Sequence, residues 1–177
     1  MVGGSYQDPA ETDYLHERFA LARYNADGTL DSSFGAAGHT TTSLGHRAIL
    51  TSLALQPDGK IVAADFGLAP PRYFAELVRY NADGSLDSTF GTSGIVDVDD
   101  GGQVEVLDVA LQSDGHIVVA GWRRTHPAAE PNLLLRRFAS DGTLIAESVM
   151  NLGDYDEAYA LAAVSYTHLT LRTKRIV

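Results

Sequence analysis

Two tracts of this 177-residue chain are near-copies of each other. Residues 21–38 read LARYNADGTLDSSFGAAG and residues 77–94 read LVRYNADGSLDSTFGTSG, with 13 of 18 positions identical at an offset of 56. A second signature alternates with the first. LALQPDGKIV, from Leu53, returns as VALQSDGHIV, from Val109, again at an offset of 56. A third, weaker copy of the first signature starts at Leu135 as LRRFASDGTL, at an offset of 58, with the two extra residues falling between Gly121 and Leu133. A repeat of this length is one supersecondary unit that cannot hide its apolar surface alone and must stack on its neighbours.

Each unit is punctuated by Asp-Gly pairs between short apolar runs: Asp27-Gly28, Asp58-Gly59, Asp83-Gly84, Asp114-Gly115 and Asp141-Gly142. Such pairs read as hairpin turns, with Gly taking the φ > 0 position without a Cβ clash. On that ground Gly28→Ala or Gly84→Ala is expected to cost about 1–2 kcal/mol. The turns divide each unit into four strands, roughly 50–56, 60–64, 74–80 and one within 86–98, then 106–112, 116–121, 133–138 and 143–149. The runs Ile61-Val62-Ala63-Ala64 and Ile117-Val118-Val119-Ala120 are apolar on both faces, as in strands covered on both sides. No segment sustains a 3.6-residue apolar period, so the chain is predicted to be nearly all β.

These residues resemble the bacterial delta-60 repeat family, whose pattern combines an aromatic-Asn-x-Asp-Gly-Ser-Leu-Asp-x-x-Phe-Gly run with Gln-Pro-Asp-Gly-Lys-Ile. Tyr80 to Gly91 and Gln56 to Val62 carry it almost letter for letter. The resemblance covers about residues 2–163. It implies an all-β, partial β-propeller of about three four-stranded antiparallel blades of ~56 residues, whose face-to-face stacking covers the inner strands. It also implies an extracellular or cell-surface bacterial protein, and it supplies no catalytic residues. The third copy departs from the pattern: Ile145 stands for Asp31 and Asp87, and Ser148 for Phe34 and Phe90. Its outer strand is therefore expected to be irregular.

Both ends look cut. Val2-Gly3-Gly4-Ser5 matches the end of a second strand, as in Val119-Ala120-Gly121-Trp122. The repeats thus occupy residues 1–163. Residues 164–177 break the period, hold Arg172, Lys174 and Arg175 with no acid, and resemble a translated sequencing adaptor. They read as a non-native tail. A fragment with open flanks is expected to associate or to be poorly soluble.

Composition narrows the function classes. The formal net charge is −10, and outside residues 164–177 the chain carries 10 basic against 23 acidic residues. Such a body repels phosphate backbones, which argues against nucleic-acid partners. No run approaches the ~18 apolar residues of a membrane-spanning helix, and the first residues lack the basic and apolar regions of a signal peptide. The absence of cysteine removes disulfides and thiolate metal sites.

Asp27 and Asp31, with their copies Asp83 and Asp87, are candidate calcium ligands. The complete oxygen set that calcium wants is missing, and Asp and Asn equally favour turns, which is the preferred reading. No other cofactor is expected. The six histidines show no i, i+4 zinc spacing, and His116 reads as solvent-facing. Tyr24, Tyr80 and Phe138 recur in register and read as packing between blades. Arg23, Arg79 and Arg137 also recur and read as structural bridges to Asp31 and Asp87. The loop joining the second and third strands, about 5–18, 66–73 and 122–132, varies in length while the frame stays fixed, and loops carry function. Tyr73, Trp122 and Arg123 are the candidate ligand rim there. The expectation is a non-catalytic structural or interaction module with an unidentified protein or glycan as partner, besides the neighbouring blades. A carbohydrate- or small-ligand-binding propeller is the alternative. An enzyme with acidic residues at a central channel ranks below it, since no nucleophile elbow or phosphate loop is present.

Overall fold

The computed structural model describes residues 1–7, 17–69, 72–99, 101–126, 128–153, 156–163 and 169–173. Among them there are 14 strands and no helix. Four antiparallel sheets succeed one another along the chain. Sheet 1 holds β1 (Val2–Tyr6), β2 (Arg18–Ala22) and β3 (His39–Thr42). Sheet 2 has the order β4 (Arg47–Leu55), β5 (Ile61–Ala69), β7 (Glu76–Tyr80), β8 (Ile95–Asp97), and the short β6 (Arg72–Phe74) pairs with the far end of β5. Sheet 3 has the order β9 (Gln103–Leu111), β10 (Ile117–Arg124), β11 (Asn132–Phe138), β12 (Leu144–Met150). Sheet 4 is β13 (Ala158–Ala163) paired with β14 (Leu169–Thr173), which falls within the stretch read from sequence as a tail. The remaining residues of that stretch lie outside the described residues. Among the described residues the sheets do not close into a ring.

The doubly apolar runs now have a cause, because the hydrophobic cores lie between sheets. Successive side chains of a strand point to opposite faces. In β5, Ile61 and Ala63 join Phe19, Leu21 and Phe34 of the first repeat in one buried cluster, with Val78 and Tyr80. Val62 and Ala64 face the other way, into a cluster with Val104, Val106, Val109, Ile117 and Val119 of sheet 3. Sheets 3 and 4 meet over a smaller cluster of Ala120, Leu133 and Ala158. The first strands β4, β9 and β13 neighbour one another across the seams. Asp108 on β9 ties them: it accepts a hydrogen bond from Ser52 Oγ of β4 at 2.7 Å and another from the Leu161 N–H of β13 at 2.7 Å.

The Asp-Gly turns share one geometry. In the first, Gly28 N–H donates to Asn25 O and Asn25 N–H donates to Thr29 O, with Gly28 at φ 86°. This is a four-residue turn closed by a left-handed glycine. The surroundings of these glycines differ. A Cβ on Gly28 would meet nothing within 4 Å, whereas one on Gly84 would sit 3.0 Å from Gly35 N and 3.0 Å from the Phe34 ring of the preceding repeat.

The outer strand of the third repeat departs from the first two, and the irregularity expected there takes the form of one register shift. In the first two, the Asp-x-x-Phe-Gly stretch folds into a turn: Phe34 N–H bonds Asp31 O, Phe90 N–H bonds Asp87 O, and only the short β3 and β8 come after. Where Ile145 and Ser148 replace that Asp and Phe, no turn forms. The chain runs on as the seven-residue β12, longer than its counterparts, with one register shift at its start where Arg137 and Phe138 pair with Ala146 and Leu144. Its Leu144, Ile145 and Val149 are exposed.

Both glycine substitutions are expected to destabilise, and unequally. Gly28→Ala should cost about 1–2 kcal/mol, from left-handed strain alone. Gly84→Ala should cost more, because its Cβ also crowds Gly35 N and the Phe34 ring of the preceding repeat. Thermal melts of the two variants check the order.

Candidate functional site

The residues that recur along the chain converge at the seams between sheets. Arg79 on β7 donates from Nε to Asp87 Oδ2 at 2.8 Å, and Lys60 Nζ reaches the same oxygen at 2.8 Å. The Arg79 guanidinium lies 4.5 Å above the Phe90 ring and bonds Ser140 O of the next repeat. Gly91 N–H adds a bond to Asp141 O at 2.9 Å. A Cβ on Gly142 would strike Val96 and come within 3.0 Å of the Phe90 ring. One repeat earlier the arrangement is the same. Arg23 pairs with Asp31 at 2.8 Å, lies over Phe34 at 4.9 Å and bonds Ala82 O, while Gly35 N–H bonds Asp83 O at 2.7 Å. Each set of Arg, Asp, Phe and Gly clasps the Asp-Gly turn of the next repeat. Arg137 lacks the matching Asp and turns instead to Gln112 Oε1 at 2.6 Å and Asp114 Oδ2 at 2.7 Å.

Burial pushes the Asp87 carboxyl up, but the Lys60 ammonium, the Thr89 hydroxyl and N–H and the Arg79 charge outweigh it and hold the group well below the usual carboxylate range. Asp27 and Asp83 accept the N–H and hydroxyl of Thr29 and Ser85, and Asp31 those of Ser33. The four calcium candidates are thus engaged in turn hydrogen bonds, and Asp31 and Asp87 already hold cationic side chains. Of the recurring aromatics, Tyr80 and Phe138 are buried between sheets, and the Tyr80 hydroxyl donates to Thr42 Oγ1 of sheet 1 at 2.8 Å. Burial pushes that phenol up to about 12. Tyr24 is 47% exposed, since no sheet among the described residues lies on its side.

The candidate rim residues lie on strands rather than in a loop. β5 continues to Ala69 and turns back as β6, where Tyr73 stacks on Phe66 at 5.4 Å. Trp122 and Arg123 are within β10. Trp122 is only 6% exposed, pairs with Glu105 and Leu133, and is covered by the Arg124 guanidinium at 4.9 Å. The 8–16 part of the first loop lies outside the described residues.

A different group is gathered at one end of sheet 2. His46 just before β4, Asp65 on β5 and Glu76 at the start of β7 place one ligand-capable atom each within 4.8 Å of the others. Among the described residues this is the one such set of three or more His, Cys, Asp or Glu. His46 Nε2 lies 3.3 Å from Asp65 Oδ2 and 3.9 Å from Glu76 Oε2. Asp65 is fully buried, and its Oδ1 accepts the Glu76 N–H at 2.6 Å. Glu76 Oε2 is buried with no hydrogen-bond partner among the described residues. Burial, then the charges of Asp65 and Asp97, push the Glu76 carboxyl up to about 7 against the opposing pull of His46. Burial also raises Asp65, against its bonds from His46 and the Glu76 N–H. Burial lowers His46, but the hydrogen bond and charge of Asp65 and the charge of Glu76 outweigh it and raise the imidazole. One imidazole and two carboxylates from adjacent strands form a donor set for a divalent cation.

The histidine spacing gives no hint of this set, because its members come from three places along the chain. A signal is nevertheless present as a break in the repeat. One step beyond the Ala64–Leu77 pair, Asp65 and Glu76 take the positions that the Gly121–Leu134 pair holds in sheet 3 and the Gly4–Ala20 pair in sheet 1. Only the second repeat places two acids there.

Stacked antiparallel sheets, cores between them and one clasp repeated at successive seams decide the architecture. These are β-propeller repeats. A family model described as a β-propeller domain of unknown function (DUF5122) matches residues 16–34, 56–90 and 112–144. The matched stretches include both Asp-Gly turns that the clasps hold, Asp83-Gly84 and Asp141-Gly142. No curated protein matches the chain. No helix among the described residues is long and apolar enough to cross a membrane.

Two outcomes test the blade-to-blade clasp. Phe90→Ala should destabilise by about 3–5 kcal/mol in denaturant titration, as expected for a large side chain lost from a core. Asp87 has a depressed folded pKa, so its contribution is present above the ordinary 3.8 and is lost as pH falls through the folded value. Asp87→Asn should therefore melt well below the parent at pH 7, and the gap should narrow as pH drops below about 4.

Proposed function

We propose that the chain is a non-catalytic structural and interaction module of an exported or surface-associated bacterial protein. The observation that carries this reading is the use made of the repeated residues. Arg79, Asp87, Phe90 and Gly91, like Arg23, Asp31, Phe34 and Gly35 before them, are committed to joining one blade to the next. What the repeat preserves is a joint, and a joint serves a scaffold. The similarity to bacterial repeats of exported proteins supports the location, and the partner is a protein or glycan held by the parts that vary between blades.

Protease treatment of intact cells producing the parent protein tests the location. Cleavage of the repeats without lysis is expected, and complete protection until the cells are broken would overturn it. A double-mutant cycle on Arg79 and Asp87 tests the joint. The two single variants should each lower the melting temperature, and the double variant should fall short of their sum, because the groups act as one unit.

A further inference from the structure

We propose that His46, Asp65 and Glu76 form a binding site for a divalent transition-metal cation of the zinc class at one end of the second blade. The inference is independent of the scaffold reading, since none of the three residues belongs to a clasp.

Geometry carries the proposal. Zinc bonds to histidine nitrogen and carboxylate oxygen are about 2.0–2.2 Å, so neighbouring ligands of a tetrahedral site lie about 3.3–3.6 Å apart. The 3.3 Å between His46 Nε2 and Asp65 Oδ2 already meets that edge, and the 3.9 Å to Glu76 Oε2 needs only a small closure. The three ligands stand on, or beside, adjacent strands of one sheet: the Glu76 N–H to Asp65 Oδ1 bond of 2.6 Å holds two of them together, and His46 directly precedes β4, which pairs with β5 from Arg47. All three ligand atoms lie within 4.8 Å of one another, so side-chain adjustment alone can close the set on an ion.

The second support is an unmet need. A buried carboxylate oxygen without a donor is costly, and Glu76 Oε2 is one. Asp65, fully buried, and Asp97, at the end of β8, add negative charge around it. Against these the group itself sets one imidazole. A divalent cation would satisfy the orphan oxygen and balance the carboxylates together. The fold does not require this arrangement, because the same positions in the flanking blades carry Gly4 and Ala20, and Gly121 and Leu134.

The donor set selects the ion class. Calcium prefers six to eight oxygens, which two carboxylates and an imidazole do not supply. Imidazole with carboxylate suits zinc and its first-row neighbours. Three protein ligands leave a fourth position open. His46 is 8% exposed and Glu76 17%, so the site lies close enough to the surface for an ion to enter.

The test is calorimetric titration of the chelator-treated full chain with zinc chloride, together with the visible spectrum of the cobalt-loaded chain. One ion per chain and tetrahedral cobalt bands are expected. His46→Gln and Glu76→Gln should each weaken binding at least tenfold, whereas His116→Gln and Asp27→Asn should leave it unchanged. In chelator, Glu76→Gln should melt no lower than the parent, because it removes a buried charge; this shows that the variant folds. Zinc binding that survives both His46→Gln and Glu76→Gln, octahedral cobalt bands, tighter binding of calcium than of zinc, or no binding at all would overturn the site.

Discussion

Everything in this molecule depends on sheets that are apolar on both faces. A single antiparallel sheet can leave one side in water, but β5 and β10 cannot, because Ile61 and Ala63 point one way and Val62 and Ala64 the other, and the Ile117 to Ala120 run does the same. Each sheet therefore needs a neighbour on each side. The chain meets that need by repetition, so the hydrophobic cores belong to pairs of repeats rather than to any one of them. Apolar burial is non-directional, however, and would let two sheets slide. The clasp of arginine, aspartate, phenylalanine and glycine supplies the direction, because its hydrogen bonds form only when the phenylalanine of one repeat sits against the turn glycine of the next.

That division explains how much is legible in the residues alone. The 56-residue period, the Asp-Gly turns and the double-faced strands are local signals with a fixed physical meaning, and they foretell the sheets, their order and most strand positions. Val2 to Ser5 matches the end of a second strand in sequence, and β1 pairs with β2 in that register. Arg79 and Asp87 recur together, and they meet at 2.8 Å. The length of β12 is not legible in the same way: the lost Asp-x-x-Phe motif reads as an irregular strand, and the strand does have a register shift at its start, but nothing in that reading gives seven paired residues. The motif in fact makes a turn, and its loss lets the strand run on.

The His46, Asp65 and Glu76 group is beyond spacing rules for a different reason. Its members are 19 and 11 residues apart, and only strand pairing brings them together. Period analysis looks for what recurs, and this group is notable for not recurring. Likewise Trp122 reads as a loop residue, whereas β10 runs three residues past Gly121 and draws the indole under Arg124 and between strands. In repeat proteins the shared residues describe the frame, and the individual ones mark where a unit does something of its own.

Arg137 shows the effect of a lapse in the frame itself. Without an aspartate eight residues on, it folds back onto Gln112 and Asp114 of its own sheet. Among the described residues the contact between the third and fourth sheets then rests on Ala120, Leu133 and Ala158, with Leu135, Met150 and Leu161 packed against them, and on the carboxylate of Asp108. Under mechanical load or mild denaturant the array is thus not uniform along its length. It has a soft suture on that side, where separation begins while the two clasped junctions upstream are still intact.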